Sequence, residues 1–230
     1  MESSLRHLFM EKKMALIVSL PANDIELAMA AIREGADAIK MHINVEHRAS
    51  GNKFSAAASY MELFQQLRSE FTGPLGIVPG GSYIDIKQTE MDLLINAGFD
   101  YFSVYAHHLP SWMLGLPNIE KTFAISADYN WDHIGSFKDF GVSALEASIV
   151  PGDEYGSPLT FKDVLAYKAL SERTAAPVLV PSQRKLEEED IPLLVQAGVK
   201  GIMLGAVVTG STVDSLQASV SNFRNAIEKL

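Results

Sequence analysis

Gly198-Val-Lys-Gly-Ile-Met-Leu-Gly205 repeats a frame that occurs three times earlier in the chain. The earlier copies are Gly35-Ala-Asp-Ala-Ile-Lys-Met-His42, Gly98-Phe-Asp-Tyr-Phe-Ser-Val-Tyr105 and Gly141-Val-Ser-Ala-Leu-Glu-Ala-Ser148. Each opens on a glycine able to end a helix and then runs into a short strand. Successive strand residues face opposite ways, so Ile39 and Met41, Phe102 and Val104, Leu145 and Ala147, and Ile202 and Leu204 make one greasy side for helices to cover. Lys40 and His42, Ser103 and Tyr105, Glu146 and Ser148, and Met203 and Gly205 then face the other way.

Outward from these copies, short apolar runs alternate with segments of helical period. Candidate strands are Ala15 to Leu20, Ala38 to His42, Leu75 to Pro79, Tyr101 to Tyr105, Phe123 to Asp128, Ala144 to Ile149, Val178 to Pro181 and Gly201 to Gly205. Helices are expected over 24–34, 57–71, 87–96, 161–172, 189–197 and 212–228, with weaker ones near 110–116 and 131–140. Asn23 with Glu26, Thr160 with Asp163 and Ser211 with Asp214 have capping-box spacing and mark helix starts. No Pro-, Gly- or Ser-rich linker divides the chain, so residues 1–230 are expected to form one domain. Eight strand–helix units read as a single α/β domain, a (β/α)8 TIM barrel, better than as a doubly wound sheet, which would leave two strands over. Lys40, Ser103, Glu146 and Met203 should then share one interior layer, with His42, Tyr105, Ser148 and Gly205 above it at the strand C-terminal ends. Residues 1–13 precede the first strand, and Leu5, Leu8 and Phe9 give them an amphipathic helix to close the opposite mouth.

The 230 residues include no cysteine, which removes disulfides, a thiolate nucleophile and a cysteine zinc site. A net charge of −9 repels nucleic acid, and no run is more basic than Glu11-Lys12-Lys13. The apolar stretch Ala15 to Leu20 stops at Pro21, too short to span a bilayer. The chain therefore reads as a soluble cytoplasmic protein that binds neither nucleic acid nor membrane. A homo-oligomer is left open.

Lys40 and Glu146 carry the leading chemistry. Strands 2 and 6 lie opposite in an eight-membered ring, and burying either charge alone is costly, so each implies a partner. The pair is either a structural ion pair beneath the site or a base with an electrophile, Glu146 and Lys40 respectively. His42 stands one layer above, at a height that suits a ligand. Asp128 closes the fifth candidate strand, as an acid or base or as a cap for the helix near Trp131. Tyr105, Ser103 and Ser148 point inward as substrate hydrogen-bonding groups. The loop Ile43 to Phe54, long for this place in a barrel, brings Glu46, His47 and Arg48 to the same mouth, Arg48 among the substrate-binding candidates. Pro151 to Pro158 reads as a rim loop or lid with Gly152 and Gly156 as hinges. His42, Glu46, His47, His107, His108 and Asp128 pool enough donors at the rim for a divalent metal, but without any His-Glu-x-x-His spacing, and the expectation is no cofactor.

The last strand runs into Gly205-Ala-Val-Val-Thr-Gly-Ser-Thr212, and Pro181-Ser-Gln-Arg-Lys185 follows strand 7. Barrels commonly hold a phosphate where these two loops meet a short extra helix. Gly205, Ala206, Gly210 and Ser211, with Ser182 and Gln183 beside them, are the phosphate-binding candidates; the alternative is that the glycines only permit tight turns.

Through Ala197-Gly-Val-Lys-Gly-Ile-Met-Leu-Gly-Ala206 the chain resembles the ribulose-phosphate-binding barrel superfamily, and within it phosphosugar epimerases such as the N-acetylmannosamine-6-phosphate enzymes. The resemblance implies a phosphorylated substrate handled at the C-terminal mouth, with Gly205, Ala206 and Ser182 on the phosphate. Two departures stand out. The strand 3 position that carries a lysine in those epimerases reads Gly76-Ile-Val-Pro79-Gly-Gly, and the glycine-rich strand 7 segment is replaced by Pro181-Ser-Gln183. The expected activity is an isomerase or epimerase of a small phosphorylated sugar, working by proton transfer next to a carbonyl. The alternatives are an aldolase using Lys40 as an imine, and a phosphometabolite-binding protein without chemistry.

Overall fold

In the computed structural model, which describes residues 4–230, the period-2 runs become eight parallel strands. They are β1 (Ala15–Ser19), β2 (Ala38–His42), β3 (Leu75–Val78), β4 (Tyr101–Tyr105), β5 (Glu120–Ile125), β6 (Val142–Ala147), β7 (Val178–Pro181) and β8 (Gly201–Leu204). Each pairs with its neighbours in sequence, and β8 returns to β1 from Ala15 opposite Gly201 to Val18 opposite Leu204, so the ring closes without an edge. The expected (β/α)8 barrel is the fold.

Two strands sit earlier than their apolar runs suggest. β5 starts at Glu120 instead of Phe123, and β6 at Val142 instead of Ala144. Between them the register slips, with Lys121 opposite Val142 but Thr122 opposite Ala144, so Ser143 is the extra residue of a bulge. Glu120, Lys121 and Thr122 hide the start of β5 from a hydrophobicity reading, and Ser143 interrupts the start of β6.

Helices α2 (Ile25–Arg33), α3 (Met61–Glu70), α4 (Gln88–Asn96), α5 (Phe161–Arg173), α6 (Ile191–Gln196) and α8 (Val213–Glu228) cover the barrel, and a four-residue α7 (Ala206–Thr209) follows β8. The weak helices near 110–116 and 131–140 are only 3-10 turns, at Ser111–Gly115, Trp131–His133 and Lys138–Phe140. Caps shift by one residue in two places. Asp24, not Asn23, accepts the Glu26 and Leu27 amides, and Thr212 with Ser215, not Ser211 with Asp214, forms the box of α8; Thr160 with Asp163 caps α5 as its spacing implies.

The two strand faces separate two cores. Ile39, Met41, Phe102, Val104, Leu145, Ala147, Ile202 and Leu204 all pack in the outer layer with the helices. Inside, Ala15, Ile17, Ala38, Tyr101, Ala144, Leu179 and Met203 fill the lower barrel, and Leu5 and Phe9 of α1 (Leu5–Glu11) complete that cluster from below. The Glu120 carboxylate holds α1 in place by accepting from Ser4 Oγ at 2.6 Å and Arg6 N at 3.1 Å. Removing Leu5 and Phe9 from water stabilises the plug by about 1.5–3 kcal/mol each. Residues 1–3 of the N-terminal extension lie outside the described residues. Among the described residues no helix is long and apolar enough to cross a membrane.

Candidate active site

Above the plug the interior changes character. Lys40 from β2 and Glu146 from β6 meet across the barrel, Nζ to Oε2 at 3.0 Å, with both residues buried. Ser103 Oγ of β4 donates to the same carboxylate oxygen at 2.7 Å, and Ser148 Oγ donates to the other, Oε1, at 3.1 Å. Lys40, Ser103 and Glu146 thus meet in the layer that strand period assigns them, joined by Ser148 from the layer above, whereas Met203, expected beside them, packs with the cluster below. Lys40, Ser103, Glu146 and Ser148 line a cavity of about 590 Å³ that opens at the C-terminal ends of the strands.

Gly76, at the start of the strand 3 stretch where the epimerase resemblance would have a lysine, is closed to any side chain: a Cβ there would lie 2.1 Å from the Tyr101 ring. Tyr101 is fully buried, its hydroxyl has no hydrogen-bond partner, and burial pushes its ionisation far up. The single ammonium of this floor is therefore supplied by β2, opposite Glu146.

His42 lines the same cavity at 2% exposure. Asn23 clamps its backbone, donating from Nδ2 to the His42 carbonyl at 2.6 Å and accepting the His42 amide at 3.3 Å, which is why this asparagine is no helix cap. The long loop after β2 folds into a small hairpin, Val45–Glu46 against Lys53–Phe54, that lays two rings over His42: His47 at 4.5 Å and Phe54 at 4.8 Å between centroids. Burial, then the neighbouring His47 and Lys40 charges, hold His42 well below the ordinary imidazole value. His47 is pushed down to about 4, mainly by burial and also by Lys40, against an opposing pull from Glu146. Both imidazoles are neutral at pH 7, so they offer a donor and an acceptor each but no charge.

Tyr105 lines the wall, with its hydroxyl kept protonated by burial and by Tyr155 and Glu146 close by. Asp128 departs from its expected place. Because β5 ends at Ile125, Asp128 lies in the loop beyond it, wholly exposed, accepting from Ser126 Oγ at 2.5 Å and held low chiefly by that bond. It touches the cavity only at the rim, and the cap of the following turn is Asn130. Among the described residues no three His, Asp or Glu side chains gather as a metal site.

The expected phosphate residues divide. Ser182, Gln183 and Gly205 line the cavity, whereas Ala206, Gly210 and Ser211 do not. Ser182 Oγ accepts the Gly205 amide at 2.8 Å, which ties the loops after β7 and β8 together and leaves the hydroxyl proton free to donate. Gln183 is occupied, accepting from Val150 N at 3.0 Å and donating to the Tyr155 hydroxyl at 2.5 Å. Arg184, one of two cations in this loop, turns away to Asp163 and Glu154, and Lys185 is exposed outside the cavity. Tyr155, Ser19 and Asn23 escaped the sequence reading. Ser19, a hydroxyl at an inward position 3.5 Å from His42 Nε2, was signalled by strand period; nothing local singles out Tyr155.

Closed parallel barrels of this kind appear among solved structures across nearly the whole chain. A tryptophan synthase chain from Mycobacterium tuberculosis aligns with a TM-score of 0.77 over 98% of this chain and 99% of its own, at 12% identity. A mutant tryptophan synthase α-subunit from Pyrococcus furiosus aligns with 0.71 over 92% and 98%, at 15% identity, and thiamine phosphate pyrophosphorylase from Pyrococcus furiosus with 0.67 over 96% and 98%, also at 15%. At such identities the likeness establishes the (β/α)8 TIM-barrel fold and nothing finer. No family model and no curated protein sequence matches the chain.

Proposed function

We propose that the barrel is an enzyme that moves a proton next to the carbonyl of a small phosphorylated sugar, an isomerase or epimerase of the ribulose-phosphate-binding kind. The observation that carries this reading is the Glu146 carboxylate on the cavity floor, braced by Ser103, Ser148 and Lys40. Such bracing fixes the position of a base, and among the described residues Oε1 has one donor, Ser148, leaving a lone pair for a substrate proton. The substrate C–H proton passes to Glu146 and the electron pair moves onto the carbonyl oxygen. Lys40, whose one acceptor is Glu146 Oε2, has N–H groups left to hold that developing oxyanion. Return of the proton to the adjacent carbon, as the proton of the neighbouring hydroxyl passes to the oxyanion, completes isomerisation; delivery of a proton from cavity water to the other face of the same carbon completes epimerisation.

The phosphate end is assigned to the corner of Ser182 and Gly205. One of the similar structures is by name an enzyme of thiamine phosphate, which suits a phosphorylated ligand in this fold. The lyase alternative is weaker, because an imine needs a neutral amine and Lys40 Nζ stands at ion-pair distance from Glu146.

The test is solvent isotope exchange. Three- to six-carbon sugar phosphates are incubated with the protein in D2O and the proton next to the carbonyl is followed by NMR. Washout that slows roughly 10²-fold or more in Glu146→Gln is the expected result. Sugar phosphates that bind without any exchange would make this a binding protein and reject the enzyme reading.

A further inference from the structure

Arg48 stands at the tip of the hairpin after β2, exposed to the mouth, with no carboxylate partner and no hydrogen-bond acceptor among the described residues. Its guanidinium is nonetheless placed. It lies 6.0 Å over the Tyr155 ring, and a Cβ on Gly152 would fall 1.7 Å from Nη1. Both contacts belong to the loop after β6, on the opposite side of the ring, so Arg48 spans the mouth.

Each side of this bridge is anchored independently of Arg48. The hairpin tip is tied down by Asn52 Nδ2 donating to the Pro21 carbonyl at 2.9 Å and by His47 N to Asn52 O at 2.8 Å. The opposite loop is pinned by Glu154 on Arg184 and by Gly156 N to Gln183 O at 2.9 Å. Tyr155, beneath the guanidinium, accepts from Gln183, the neighbour of Ser182. The unpaired guanidinium therefore lines the same cavity as Ser182 and Gly205. A planar fork of five donors with no acceptor in reach is matched to a phosphate or carboxylate.

We propose that Arg48 completes the phosphate subsite from across the barrel mouth, taking the substrate's terminal phosphate together with Ser182 and the Gly205 corner, and that Gly152 is glycine so that the guanidinium can lie against it. The inference rests on the phosphosugar reading and adds to it the residue that selects charged over neutral sugars. Arg48 touches the ligand, while Gly152 acts by positioning Arg48. The hairpin that carries Arg48 also carries His47 and Phe54 over His42, so the same element covers the cavity floor.

The probe is inorganic phosphate, titrated into the 15N-labelled full chain with sodium chloride at matched ionic strength as the control. The Gly205 amide and the Arg48 Nε–H signal should move along one isotherm. Arg48→Gln should weaken phosphate about tenfold or more, Arg48→Lys less, and Gly152→Ala nearly as much as Arg48→Gln. In the Arg48→Gln background Gly152→Ala should add nothing, a non-additivity that a general disturbance of the loop would not give. Because Arg48 has no ion pair to lose, Arg48→Gln should leave the urea midpoint unchanged. Phosphate that moves Gly205 but not Arg48, or equal phosphate affinity in Arg48→Gln, overturns this proposal and leaves the phosphate corner standing. If neither signal moves, or chloride moves both equally, the phosphate reading falls with it.

Discussion

Two buried ion pairs lie close to the mouth of this barrel, and they are built on opposite principles. Arg184 is turned to the protein: Nη2 donates to Asp163 at 3.0 Å and to Glu154, Nη1 to Ser157, and Nε stands at ion-pair distance, 3.0 Å, from the other Asp163 oxygen. It does not line the cavity. Lys40 has one acceptor among the described residues and faces a cavity, and the carboxylate it meets is also held by two serines, Ser103 on the same oxygen and Ser148 on the other. A buried charge that spends its donors on the protein joins elements, here the loop after β6, the start of α5 and the loop after β7. One that keeps donors facing open space is equipped to act on a guest.

Breaking the Arg184 pair should give the largest effect. Arg184→Met leaves the buried Asp163 carboxylate, in the first turn of α5, without its cation and with only its Thr160 bonds, at a cost of about 3–5 kcal/mol, read as a fall in the urea midpoint. A loss under about 1 kcal/mol would mean that water reaches this network and that it is no fastening. Glu146→Gln should come next, with isotope exchange slowed roughly 10²-fold or more at a temperature where the variant is still folded. Normal exchange beside a large stability loss would erase the contrast and return Glu146 to structure.

The contrast was only half legible in the sequence. Lys40, Ser103, Glu146 and Ser148 fall on the inward face because a strand has period 2, and burial then forces the charges to pair, so the cavity floor could be placed residue by residue. Arg184 sits in a loop, where no period says which way a side chain turns, and its sequence position gives no sign that Asp163 and Glu154 claim it. Asp128 failed for a related reason: the polar first turn of β5 concealed where the strand begins, and a shift of three residues moved the aspartate from strand tip to open rim. The capping shifts at Asp24 and Thr212 arise because neighbouring polar residues compete for one cap and spacing alone does not choose between them.

Acid should sharpen the comparison, since the imidazoles sit over Lys40 and none over Arg184. His47 ionises at about 4 in the fold against about 6.5 unfolded, so between these values the unfolded chain binds more protons and stability rises with pH. The contribution is whole above about pH 6.5 and is lost as the pH falls toward 4, about 2 kcal/mol of it by pH 5 for His47 alone. His42, shifted the same way, adds in the same direction. Thermal melts between pH 7 and 5 measure the slope, and His47→Phe should flatten it. An unchanged slope in that variant would assign the acid sensitivity to other groups.

The smallest effect expected is also the most selective. With Arg184 spent on carboxylates, the corner at the loops after β7 and β8 has only Ser182 and the backbone around Gly205 to offer a phosphate from below. Gly205 has ordinary extended backbone, φ −118°, and a Cβ added there would meet nothing nearer than Ser182 Oγ at 3.8 Å. Alanine therefore fits the fold at no steric cost, and the glycine is not explained by the turn. What the added methyl does occupy is space 3.8 Å from the Ser182 hydroxyl, in the corner assigned to the phosphate. Gly205→Ala should weaken phosphorylated ligands about tenfold, close to 1.4 kcal/mol, and leave their dephosphorylated forms and the urea midpoint untouched; Gly205→Val should do more of the same. The measurement is calorimetric titration with each pair of sugars on both variants. Equal weakening of both forms would show that the methyl narrows the whole cavity, and the phosphate would then have to be sought elsewhere on the rim.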